Sequence, residues 1–217
     1  MKTAFTASVL AITCLTASAQ SPTNTLPPSE KATYKTSTYS AGVFSSKWED
    51  PIEDSMLFRR NAAGHDIYQR TSFGYFDPYS FGLTHPLSKG DYDFKPSTTR
   101  QSPEFTVGTT WKVSFTIPPR VGSRCTSDVT YDYQSTVKEL KTMPIQVDGK
   151  EVVINVVVVA QEGTWVASGC GTGKGLATLT YAPDKKVLVG IDTLGYMGER
   201  LVAGTKSSLL GISSTQQ

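Results

Sequence analysis

The sequence predicts an all-β fold, in which an antiparallel meander forms a curved sheet, a partial barrel or a sandwich. Turn residues separate short apolar runs at intervals of roughly ten residues, which is the spacing seen in small β domains. Apolar and polar residues alternate along several of these runs. No segment repeats its apolar residues with the helical period of about 3.6.

The alternation is clearest in residues 111–117 (WKVSFTI) and 129–137 (VTYDYQSTV). Nearly every second residue is apolar or aromatic in these runs, and the residues between them are polar, which is typical of strands with one buried face. In residues 152–160 (VVINVVVVA) only Asn155 is polar. We expect this run to be a strand buried on both faces.

Turn signals connect these runs into a meander. Asp148-Gly149 lies between two apolar runs, which is the strongest short hairpin signal. Gln161–Gly163 and Pro183-Asp184 predict two further turns. The predicted meander runs from Trp111 to about residue 191, with one more strand to Leu210.

The chain divides into three predicted segments. Residues 1–19 have the layout of a signal peptide, with Lys2, an apolar stretch and the small residues 17–19 (ASA). Residues 20–40 are rich in Pro, Ser and Thr and predict a flexible lead-in. Residues 41–217 predict a single β-rich domain. We therefore expect a periplasmic or secreted protein.

Charge and hydropathy exclude two classes of partner. Removal of residues 1–19 leaves 20 basic and 19 acidic residues, and this near balance argues against nucleic acid as a partner. No later apolar run is long enough to predict a membrane span. The sequence indicates neither the oligomeric state nor the role of residues 41–104.

Two cysteines, Cys125 and Cys170, remain after the predicted cleavage. An even number of cysteines in an exported chain predicts a disulfide between them. The alternative, a metal or redox site, lacks the close Cys-x-x-Cys spacing. We expect neither a metal ion nor a cofactor.

The stretch 169–175 (GCGTGKG) resembles the end of a phosphate-binding loop. Such a loop requires glycine at position 168 and Ser or Thr at position 175, where this chain has Ser168 and Gly175. A phosphate-binding loop also opens a helix, whereas both flanking segments are typical of strands. We therefore interpret the stretch as a bend whose glycines adopt positive φ.

Residues 73–82 (FGYFDPYSFG) form a dense aromatic segment. Its candidate ligand-binding residues, which would line a groove for an apolar ligand, are Tyr75, Phe76, Tyr79 and Phe81. Alternatively, the same rings pack into the core at one end of the sheet. We favour the second interpretation, because closely spaced Gly and Pro residues fold the segment back on itself. Trp48, Trp111 and Trp165 are also expected in the core.

From about residue 105 to residue 210, the order of motifs resembles a diffuse group of exported bacterial β-rich domains of unknown function. The shared motifs are Gly-x-x-Trp (108–111), a turn before a Val/Ile run (148–159), Tyr-x-Pro (181–183) and Gly-Glu (198–199). The resemblance implies a curved antiparallel sheet or partial barrel in the cell envelope, without an established activity.

These features predict an exported cell-envelope protein without enzymatic activity, which binds a partner protein or a small apolar ligand. One alternative is an inhibitor of a foreign hydrolase. The other is a hydrolase with a scattered catalytic site that uses His65 or His85. The chain has no Gly-x-Ser-x-Gly motif, and its two histidines lack metal-ligand spacing.

Overall fold

A computed structural model of the protein describes residues 29–41, 46–59, 70–71, 74–77, 81–84, 105–117 and 127–215. These residues contain strands and turns and no helix, which confirms the all-β prediction. The predicted signal peptide and the two histidines lie outside the described residues.

The described residues form twelve strands in two sheets. In chain order they are β1 (Ser29–Ala41), β2 (Ser46–Trp48), β3 (Ile52–Arg59), β4 (Arg70–Thr71), β5 (Gly74–Asp77), β6 (Gly82–Thr84), β7 (Thr110–Ile117), β8 (Val129–Val147), β9 (Lys150–Ala167), β10 (Gly171–Ala182), β11 (Val187–Met197) and β12 (Arg200–Thr215). Strands β4, β5 and β6 make a small sheet, and the other nine make the large one.

The large sheet follows the predicted meander. Its spatial order is β2-β1-β12-β11-β10-β9-β8-β7, and β3 also pairs with β1. Each strand from β7 to β12 is therefore the neighbour of the next one along the chain. The long pairings are all antiparallel.

The sheet curls until the ends of β8 and β12 meet. Ile212 and Val147 form a single parallel bridge, and the backbone N–H of Asp148 donates to the carbonyl of Ile212 at 2.8 Å. The contact closes a partial ring, as the prediction of a curved sheet or partial barrel requires.

Two of the three predicted turns are confirmed. Asp148 and Gly149 have φ angles of 49° and 74°, which are the positive values of a two-residue hairpin turn. After β10, the N–H of Lys186 donates to the carbonyl of Pro183 at 3.2 Å. The turn predicted at residues 161–163 is wrong, because β9 continues through them to Ala167.

The second half of the predicted flexible lead-in is a strand. Residues 29–41 form β1, which pairs with β12 on one side and with β3 on the other. Ala32, Tyr34 and Thr36 are buried in β1, whereas Lys31 and Lys35 between them are exposed. The Pro, Ser and Thr content of residues 20–40 obscured this short alternation.

The buried residues form two clusters, which also pack against partly buried neighbours. The members of the first cluster are Ala32, Tyr34, Ile145, Ile154, Val156, Ala182, Val187, Val189 and Ile212. The members of the second cluster are Phe76, Phe81, Val137, Val157, Val159, Leu179, Tyr181 and Leu188.

Successive residues of one strand belong to different clusters. Val156 belongs to the first and Val157 to the second, and the same holds for Ala182 and Tyr181. Because successive side chains of a strand point to opposite faces, both faces of the sheet are covered at this level. The expected two-sided burial of residues 152–160 is therefore confirmed for its central part, 156–159.

Candidate functional site

The aromatic segment contributes two rings to the second core cluster. Phe76 and Phe81 are 2% and 1% exposed, and their rings meet edge to face with centroids 5.3 Å apart. The ring of Phe81 also contacts the rings of Trp111 and Tyr181, with centroid distances of 5.4 Å and 5.2 Å. Tyr79 lies outside the described residues, and only the backbone of Tyr75 is described. The burial of both phenylalanines agrees with the core interpretation of this segment.

Hydrogen bonds hold the backbone of Phe81 in an unusual conformation. Its φ angle of 62° lies in the left-handed region, which bulky residues rarely adopt. The buried side-chain amide of Gln161 donates to the carbonyl of Phe81 at 2.8 Å and to the hydroxyl of Ser135 at 3.0 Å. These bonds attach the aromatic segment to the interior of β8 and β9.

Beyond this buried cluster, the same face of the large sheet carries a row of partly exposed rings, the aromatic platform. It consists of Phe115 on β7, Tyr131 and Tyr133 on β8, and Trp165 on β9. The rings of Phe115 and Tyr131 stack at 5.0 Å with an interplanar angle of 13°. Tyr131 and Tyr133 lie 5.8 Å apart. The rings of Phe115, Tyr131 and Tyr133 are therefore neighbours of one another, and Trp165 pairs with Tyr131 on the adjacent strand.

Glycines form the floor of the aromatic platform. Tyr133 pairs with Gly163 on β9, and Gly163 pairs with Gly175 on β10. A Cβ atom built on either glycine would lie 2.7 Å from a carbon of the Tyr133 ring, closer than van der Waals contact allows. The Tyr133 ring therefore lies over both glycines, and at Gly163 the added atom would also collide with the backbone carbonyl oxygen of Asp132.

Trp165 rests on the strands in the same way. It pairs with Gly173 on β10, where an added Cβ atom would lie 2.7 Å from the indole ring. Both rings are partly exposed. The glycine floor fixes the orientation of these two rings.

The stretch 169–175 contains a bend in its first part and two glycines of the floor in its second part. Gly169 and Gly171 have φ angles of 72° and 135°, which confirms the predicted bend at these two positions. For Gly173 and Gly175 the prediction is wrong, because they lie inside β10 without positive φ. They accommodate the rings of Trp165 and Tyr133 instead.

Lys174 takes part in a surface ion pair. Its ammonium lies 2.6 Å from the carboxylate of Glu162 on β9, and both side chains are more than half exposed. The hydrogen bond and the charge of Lys174 lower the pKa of Glu162. The lysine that resembled a phosphate ligand therefore links two neighbouring strands.

The hydroxyl of Tyr133 is largely withdrawn from solvent. Burial raises its pKa far above the ordinary value, and the nearby Tyr131 raises it further. Within the described part of the chain, no group of three His, Cys, Asp or Glu side chains could hold a metal ion.

The sequence did not predict the aromatic platform, because the candidate ligand-binding residues were Tyr75, Phe76, Tyr79 and Phe81. The alternation in β7 and β8 correctly puts Phe115, Tyr131 and Tyr133 on the apolar face. Trp165, expected in the core, is only partly buried, and so is Trp48. The signal that could have identified the platform is the set of glycines at alternate positions of β10, of which Gly173 lies opposite Trp165 and Gly175 opposite Gly163.

Comparison of the chain with models of protein families, with curated proteins and with solved structures found no match. In the part of the chain that the structure describes, no helix is long and apolar enough to cross a membrane. Function is therefore inferred from the geometry of the aromatic platform.

Proposed function

We propose that the protein is an exported, non-enzymatic cell-envelope protein that binds a small apolar ligand on the aromatic platform. The observation that carries this proposal is the set of partly exposed rings held flat above Gly163, Gly173 and Gly175. Contiguous apolar surface on a folded protein marks a binding site more often than scattered apolar residues do.

The ligand that fits this surface is one with a flat apolar ring system. Aromatic rings attract each other in offset stacks or edge to face, with centroids about 4.5–7 Å apart. The platform already contains a stacked pair, Phe115 and Tyr131, and a planar ligand would extend that stack. The glycine floor holds the rings of Tyr133 and Trp165 before binding, so these two side chains lose little entropy when the ligand binds.

The proposal is tested by titrating the protein with Nile red, a neutral apolar dye whose fluorescence rises in apolar surroundings. We expect Tyr131→Ala and Phe115→Ala to weaken dye binding about tenfold or more, which corresponds to about 1.4 kcal/mol. The matched control is Val153→Ala, because Val153 is 65% exposed near the β8–β9 hairpin. Equal dye affinity in the wild type and both platform variants would contradict the proposal.

We also infer that residues 1–19 are removed on export to the periplasm or the medium, and that Cys125 and Cys170 form a disulfide. Val129, at the start of β8, pairs with Ala167, and the hydroxyl of Ser127 donates to the carbonyl of Ser168 at 2.5 Å. The chain two residues after Cys125 therefore contacts the turn that contains Cys170. Cys125 itself lies outside the described residues.

Alkylation of the secreted protein, with and without a reductant, tests the disulfide by mass spectrometry. We expect both thiols to be labelled only after reduction. Labelling of both cysteines without a reductant would contradict the inference, and the N-terminus found in the same spectra tests the predicted cleavage.

A further inference from the structure

A polar groove lies on the opposite face of the large sheet from the aromatic platform. Its volume is about 350 Å³, and it crosses β1, β10, β11 and β12. The polar side chains that line it include Lys35, Ser37, Thr178, Asp192, Lys206 and Ser208. Thr178 and Thr180 alternate along β10 with the residues that face the platform side, so the two surfaces are independent.

The pairing of the strands arranges the groove in two rows. In the first row Thr178, Asp192, Lys206 and Ser37 lie directly opposite one another on successive strands. The strands of a sheet are about 4.8 Å apart, so hydrogen-bonding groups recur at short, regular intervals across the groove.

The second row contains a gap. Thr180, Gly190, Ser208 and Lys35 lie opposite one another in that order. Gly190 has no side chain, so no Cβ atom occupies the position 3.6 Å from the hydroxyl of Thr180. This space forms part of the groove.

Asp192 keeps its carboxylate available to a ligand. Lys206 lies directly opposite it, yet the ammonium of Lys206 lies over the ring of Trp48, 4.8 Å from its centroid. The ion pairs of the described residues include neither Asp192 nor Lys35. The groove therefore offers the carboxylate of Asp192, the ammonium of Lys35 and several hydroxyls to the same ligand.

We infer that the polar groove binds a neutral, hydroxyl-rich ligand, a sugar. A carboxylate accepts hydrogen bonds from hydroxyl groups, ammonium groups donate to them, and Ser and Thr hydroxyls do both. Asp192 would repel an anion, and Lys35 and Lys206 would repel a cation. A volume of about 350 Å³ is at the lower end of the range for small-molecule sites, which suits one or two sugar rings.

Trp48 supplies an apolar surface next to these polar groups. Its ring covers Gly204, where an added Cβ atom would lie 2.9 Å from the indole. Gly204 is two residues from Lys206 on β12 and therefore on the same face of the sheet. The ammonium of Lys206 lies over this ring, 4.8 Å from its centroid, so Trp48 holds Lys206 at the edge of the groove.

The test maps amide chemical shifts by NMR while the full mature protein is titrated with glucose, galactose or N-acetylglucosamine. We expect saturable shifts confined to residues 178–180, 190–192 and 206–208 for at least one sugar. Asp192→Asn should lower the affinity for that sugar by about tenfold or more, because a charge-assisted hydrogen bond is lost. The control is Asp128→Asn, since Asp128 is exposed before β8. The affinity of this variant for the same sugar should equal that of the wild type.

Two results would overturn the inference. One is the absence of groove shifts with all three sugars. The other is a groove that responds to inorganic phosphate and binds it more tightly in Asp192→Asn, which would indicate an anion site. Thr178→Val provides a second variant if Asp192→Asn does not fold, because its side chain is exposed and it keeps the β-branched shape.

Discussion

The carboxylate of Asp148 accepts two hydrogen bonds from Ser214, one from the backbone N–H at 2.7 Å and one from the hydroxyl at 3.1 Å. The N–H of Asp148 also donates to Ile212 on the same strand, β12. Asp148 therefore turns the β8–β9 hairpin and closes the partial ring at the same time. The Asp-Gly motif indicated only the first of these roles.

Replacement of Asp148 tests the closure. Asp148→Ala removes the carboxylate and also forces alanine into positive φ, so we expect it to lower the free energy of unfolding by about 2 kcal/mol. Asp148→Asn keeps a residue that tolerates positive φ and should cost about 1 kcal/mol. Urea denaturation measures both changes. The control is Asp184→Asn in the turn between β10 and β11, and equal stability of all four proteins would contradict a role in closure.

A second prediction concerns the glycine floor. Gly175→Ala puts a methyl group into the ring of Tyr133, and overpacking of this kind costs about 1–3 kcal/mol. Thermal denaturation should show the corresponding fall in melting temperature.

Gly195→Ala is the matched control for this change. Gly195 pairs with Gly175 across the sheet, but its added Cβ atom would lie 3.6 Å or more from its neighbours, so we expect little loss. Combining Gly175→Ala with Tyr133→Ala should relieve the overlap. If the two substitutions were simply additive, the ring would not be the cause.

A third prediction concerns the aromatic segment. Phe81→Ala opens a cavity among Phe76, Trp111 and Tyr181, and such truncations of buried phenylalanine cost about 3–5 kcal/mol. Phe115→Ala, at a partly exposed ring, should cost much less. An unchanged melting temperature in Phe81→Ala together with lost dye binding would contradict the core interpretation. It would favour the alternative in which residues 73–82 line a site for an apolar ligand.

A fourth prediction is an alkaline loss of stability that depends on Tyr133. Because the folded state raises the pKa of Tyr133, the folded protein holds this proton more tightly than the unfolded chain, whose tyrosines titrate near pH 10. This contribution is complete below about pH 10 and is lost as the pH rises above it. Urea midpoints of wild type and Tyr133→Phe should therefore diverge above about pH 10, and parallel curves would contradict the effect of burial.

Much of the fold could be predicted from local patterns. The alternation of β7 and β8, the Asp-Gly hairpin and the turn at Pro183 are all local signals, and each is confirmed. The pairing of β1 with β12 is not local, since more than 160 residues separate Ala32 and Ile212 in the chain. No sequence pattern near either strand indicated that pairing.

The exposure of the aromatic platform could not be predicted for a related reason. Alternation shows that Tyr131 and Tyr133 share a face, but the part of that face that is covered depends on where Phe81 packs. Glycine has two physical uses, positive φ and the absence of a Cβ atom. Gly173 and Gly175 were interpreted through the first use, although the rings of Trp165 and Tyr133 require the second.

The most direct test of the aromatic platform follows the three indole N–H resonances by NMR while naphthol, a small planar apolar molecule, is added. Trp165→Phe assigns the platform resonance. We expect the Trp165 resonance to shift saturably and the Trp48 resonance to stay in place. Tyr131→Ala should abolish the shift of the Trp165 resonance. A Trp165 resonance that stays in place while naphthol binds elsewhere would contradict the platform as the binding site.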